Sequence, residues 1–89
     1  MIKKIDFPSE EIKTLKERSC IITTRVSREY NRYSLGDIVQ TPWGKTYVVN
    51  KIEKINGIKN HPFYHELTPK QIQLISKYKK IDVLTLKKQ

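Results

Sequence analysis

Two rhythms of apolar residues alternate along the chain, one suited to strands and one to helices. Residues 2–7 (IKKIDF) carry strand-like spacing, and Pro8-Ser9-Glu10-Glu11 then supplies a helix start whose carboxylates suit the positive end of the helix dipole. Ile12 and Leu15 share one face of that helix, Lys13, Lys16, Glu17 and Arg18 take the other, and the pattern stops at Ser19. Residues 20–26 (CIITTRV) are β-branched almost throughout and predict a strand. A polar loop, 27–35 (SREYNRYSL), ends at the turn dipeptide Gly36-Asp37. Residues 38–41 and 45–52 flank Pro42-Trp43-Gly44 and predict a β-hairpin, with glycine where a permissive backbone is needed. Asn56-Gly57 closes the second arm, and residues 58–66 have loop composition with Phe63 and Tyr64 as anchors. Thr68-Pro69 opens a second helix, with Ile72, Leu74 and Ile75 as its apolar stripe up to Tyr78. Residues 81–86 (IDVLTL) form a last strand before a charged tail. The order strand, helix, three strands, helix, strand predicts an α+β fold, a small mixed or barrel-like sheet of about five strands with two peripheral helices.

Composition narrows this picture. With 37% apolar and 30% charged residues and aromatics spread along the chain, the sequence carries enough core material to fold as one domain over residues 1–89. No repeat, low-complexity run or Gly/Ser linker divides it. Cys20 is the only cysteine, which excludes an intrachain disulfide and fits a reducing compartment; in an apolar strand beside Ile21 and Ile22 it reads as a small buried hydrophobe. MIKKIDF has no apolar leader segment, and no stretch approaches the roughly 20 apolar residues of a membrane span, so a cytoplasmic monomer is expected. His61 and His65 are four apart, but Pro62 breaks any shared helix face and no third ligand is apparent, so neither metal nor cofactor is expected.

The net charge of +9 attracts polyanions and points to RNA, DNA or a phosphate-bearing ligand as partner. Lysine abundance alone, 14 of the 18 basic residues, is the plainer source of that charge.

IITTR at 21–25, YSLGDIV at 33–39, and ELTPKQIQLI at 66–75 running into IDVLTL together resemble the ASCH family of the PUA-like superfamily. The resemblance implies a small β-barrel with peripheral helices and an RNA- or nucleotide-binding role. In the family's GxKxxExR pattern the arginine matches Arg25, while Arg18, Cys20 and Thr23 stand at the glycine, lysine and glutamate positions. One branch, amidohydrolases acting on acetylated cytidine, uses a lysine, a threonine and a glutamate. Thr23 and Glu66 match the last two, Cys20 replaces the lysine, and Lys45 on the hairpin is the substitute amine the sequence offers. An unassisted hydroxyl is a poor nucleophile at neutral pH, so the implied role is binding, with hydrolysis of acylated nucleosides by Thr23 and Glu66 as the alternative.

The expected binding set is a basic cleft built from Arg25, Thr23 and the 27–35 loop. Arg25, in an apolar strand, presents a planar fork for phosphate or carboxylate, or else pairs structurally with Asp37 or Glu66. Arg28, Tyr30, Arg32 and Tyr33 interleave cations with rings, which suits a nucleic-acid backbone and stacked bases, although Tyr33 also suits the core. Trp43 and Lys45 complete the set: at a hairpin tip the indole is either a contact surface or folded back. A third alternative is a small viral or mobile-element protein that binds a host protein.

Overall fold

The computed structural model describes residues 2–89. Its elements are β1 (Ile2–Lys4), α1 (Ser9–Leu15), β2 (Cys20–Val26), β3 (Ile38–Gln40), β4 (Thr46–Asn56), α2 (Pro69–Ile75) and β5 (Lys80–Lys88). They build a five-stranded mixed sheet in the order β1-β3-β4-β5-β2, in which only β1 and β3 run parallel. The small α+β architecture and the element order follow the hydrophobic pattern.

The hairpin forms as expected. Thr41 and Lys45 close it, and Gly44 takes φ +81°, a conformation that costs glycine little. The β4–β5 ladder passes from Val49↔Leu86 to Lys51↔Thr85, leaving Asn50 as a bulge. That extra residue changes the phase of β4, so that Ile52, rather than Lys51, follows Tyr47 and Val49 onto the core face. β5 lies between β4 and β2 and is buried on both faces from Ile81 to Leu84.

Two apolar clusters sit on opposite faces. Ile5, Ile21, Tyr33, Val39, Tyr47, Val49, Leu84 and Leu86 form the larger, with Phe7 and Leu15 of the α1 segment against it. Ile58, Ile81 and Val83 form the smaller, with Leu67 and Ile75 of the α2 segment against it. The two helices therefore cover opposite faces, and their N-terminal ends meet beside β2. There Gln71 Nε2 donates to Glu11 Oε1 at 3.4 Å and Lys70 lies 3.8 Å from Glu10.

The sheet is open. β1 and β2 stand at its two edges, and among the described residues no ladder joins them. β1 pairs over only three residues. The gap is spanned by a side chain: Arg25 of β2 donates from Nη2 to the carbonyl of Asp6, just beyond β1, at 2.8 Å. Among the described residues no helix is long and apolar enough to cross a membrane.

Candidate functional site

The main cleft, about 860 Å³, runs along the free edge of β2 between the α1 wall and a second wall made by His61–Thr68 and α2. β2 shapes its floor through strand alternation. Ser19 accepts from Lys88 N–H, which sets the hydrogen-bonding phase of the β2–β5 pairing. The backbone groups of Ile21, Thr23 and Arg25 are thereby turned toward β5, and those of Cys20, Ile22 and Thr24 outward. An edge strand with unpaired N–H and C=O groups is a ready template for hydrogen bonding. Phe7 and Phe63 add aromatic surface from opposite walls.

Thr23, Arg25 and Glu66, singled out from the sequence, all line this cleft. The other expected residues do not. Arg28, Tyr30, Arg32, Tyr33, Trp43 and Lys45 lie outside its lining, so the 27–35 loop is not part of it. Charge also departs from expectation: the lining holds four acidic residues, Asp6, Glu10, Glu11 and Glu66, against two arginines, Arg18 and Arg25, and among the described residues no lysine. The expected basic cleft is instead the acidic concavity of a basic protein.

The 27–35 loop is satisfied internally, which explains its absence from the cleft. Asn31, at φ 62°, donates its N–H to the fully buried carboxylate of Asp82 at 2.6 Å, and Lys54 Nζ reaches the same carboxylate at 2.9 Å. Lys54 caps the Tyr30 ring at 4.6 Å, and Arg32 lies 5.8 Å from the Tyr33 ring and 3.3 Å from Glu29. Tyr33 is buried in the larger cluster, where burial first and Glu29 second hold its phenol above the ordinary range. Arg28 is exposed. Trp43 folds back: its ring lies 5.8 Å from Phe7 and 6.3 Å from Tyr47, against the core.

Arg25 is largely committed. Its side chain is only 11% exposed, stacks 4.9 Å from the Phe7 ring, and approaches Glu29 to 3.7 Å, so its partner is neither Asp37 nor Glu66. Burial lowers its pKa from the ordinary arginine value, opposed by Tyr33, Glu29, Asp6 and Glu11. Asp37 instead binds Lys3 at 2.8 Å, and that hydrogen bond, with the Ser34 N–H, holds its carboxyl below the usual range.

Three cleft residues were not anticipated. Cys20, expected to be buried, is exposed at the start of β2 and lines the cleft. Thr24 and His61 meet at 2.8 Å between Oγ1 and Nε2, and His61 Nδ1 accepts the Phe63 N–H at 3.0 Å. His61 is buried, and desolvation, partly opposed by Glu53, lowers its pKa. Alternation from buried Ile21 was the available signal for Thr24, whereas nothing local marked His61 as its partner. The chain matches no protein-family model, no curated protein and no solved structure.

Proposed function

We propose that the chain is a non-catalytic, RNA- or nucleotide-binding module of the ASCH and PUA-like kind, taking one nucleobase in the cleft beside β2. In this reading the open sheet, tied at Arg25 and Asp6, is a parted version of that family's β-barrel, and the protein acts as a cytoplasmic monomer. The observation that carries the proposal is the free edge of β2 at Ile22 and Thr24 inside a cleft walled by Phe7 and Phe63. A base has two faces for stacking and an edge that mixes donors with acceptors, as an exposed strand edge does. The carboxylates disfavour a phosphate in the cleft itself and suit the amino and imino hydrogens of a base. Exposed Lys13 on α1, Lys16 just beyond its end and Lys70 on α2 stand ready for the backbone phosphates.

Fluorescence anisotropy with labelled single-stranded RNA, duplex RNA and single-stranded DNA, at two salt concentrations, tests this. The proposal expects preference for single-stranded RNA and a loss of about tenfold on Phe63→Ala, the scale of one stacked base. Equal, salt-erased binding to all three, unchanged in Phe63→Ala, would oppose it and favour a protein partner.

Hydrolysis has one observation in its favour, that Thr23 and Glu66 line the same cleft. The absence of any lysine from that lining, with Cys20 at the family's lysine position, weighs against it. Turnover of an acylated nucleoside, abolished by Thr23→Ala, would establish it instead.

A further inference from the structure

The hydrogen-bond chain Phe63–His61–Thr24 has a direction. The Phe63 N–H is an obligatory donor, so the Nδ1 that receives it at 3.0 Å presents a lone pair. A neutral imidazole carries one hydrogen, which therefore resides on Nε2. Burial of His61 favours the neutral ring. Nε2, 2.8 Å from Thr24 Oγ1, then donates, and the threonine oxygen accepts. His61 is Thr24's only side-chain hydrogen-bond partner among the described residues, so the hydroxyl hydrogen is left without an acceptor within the protein. Thr24 lines the cleft, and its backbone groups are turned to the free edge of β2.

We infer that Thr24 is the specificity-determining residue of the cleft, its hydroxyl donating to a ring carbonyl or unprotonated ring nitrogen of the bound base, with His61 as the positioning residue. The inference rests on the nucleobase reading above and adds the chemistry of one contact. The carboxylates of Glu66 and Glu11 receive hydrogens from the ligand, and Thr24 is a side-chain hydroxyl whose polarity is set in advance to give one. The same polarity makes His61 a poor general base toward Thr24, because the nitrogen that faces the hydroxyl already holds its hydrogen.

Two measurements test this. A long-range ¹H–¹⁵N correlation spectrum of the wild-type protein at neutral pH identifies which nitrogen of His61 is protonated. Protonation at Nε2 is expected; protonation at Nδ1 would reverse the chain and overturn the inference without any ligand. Uridine, cytidine, adenosine and guanosine are then titrated separately into ¹⁵N-labelled wild type, Thr24→Val and Thr24→Ser. Valine preserves shape and strand propensity, and the amide spectrum reports whether the fold is intact. The nucleoside that binds wild type most tightly is expected to lose about tenfold in affinity with Thr24→Val, the scale of one hydrogen bond to a buried acceptor, and to regain it with Thr24→Ser. Equal affinity for wild type and Thr24→Val would overturn the role of Thr24 and leave the nucleobase reading standing. Absence of saturable shifts in wild type for all four nucleosides would overturn both.

Discussion

Arg25 and Asp82 sit opposite one another in the β2–β5 register, yet each is engaged elsewhere: Asp82 by Lys54 and the Asn31 N–H, and Arg25 by the Asp6 carbonyl and Glu29, with its buried Nε left without a hydrogen-bond partner among the described residues. Arg25→Ala is expected to destabilise the protein by about 1–3 kcal/mol, since it removes a mostly buried side chain and strands the groups it ties together. Urea denaturation measures this directly. An effect on RNA binding without a stability loss would instead assign Arg25 to the ligand. His61 makes stability depend on pH. Its folded pKa lies below the unfolded value of about 6.5, so on acidification the unfolded chain takes up the proton first. The stability it contributes is present above about pH 6.5 and declines as pH falls toward the lower folded value. Unfolding curves at about pH 7.5 and about pH 5.5 should differ more for wild type than for His61→Gln. At this scale Arg25 stood out in the sequence because a charge in a β-branched run is conspicuous. Its tie to Asp6 and its stacking on Phe7 were not legible there, because only the folded chain brings those residues to it.

Among the elements, α2 carries the strongest local signal. Thr68 accepts the Gln71 N–H through its hydroxyl, Gln71 returns a bond to the Thr68 N–H, and Pro69 occupies the first turn. Thr68→Ala should cost about 1 kcal/mol and lower Tm by about 4–8 °C, read by thermal unfolding, since α1 has no comparable side-chain cap. The cap, the hairpin and β2 were legible because turn chemistry and β-branching are local. The last turn predicted for α2 was not borne out: the helix ends at Ile75, and Tyr78 turns back against the smaller cluster. β4 runs to Asn56, where Asn56-Gly57 was expected to close it, but its bulge was invisible, because the change of phase at Asn50 has meaning only against β5. That β2 is an edge strand, the fact that makes the cleft, was not written in its own residues either.

Across the whole molecule the +9 charge and the cleft are separate features. Reading the net charge onto Arg25 and the 27–35 loop joined them, because a sequence supplies a sum of charges and not their placement. Their separation predicts two different salt responses: affinity for RNA should fall steeply with ionic strength through the lysine surface, whereas affinity for a phosphate-free nucleoside should hardly change. Parallel titrations of an RNA and its nucleoside across a salt series read the difference. The most direct measurement is an amide chemical-shift map of the ¹⁵N-labelled protein with a short single-stranded RNA at physiological salt. The account predicts the largest shifts at Ile22, Thr23, Thr24, Phe63 and Glu66; small shifts spread over Lys77, Lys79, Lys80 and Arg28, with the β2 edge silent, would contradict it.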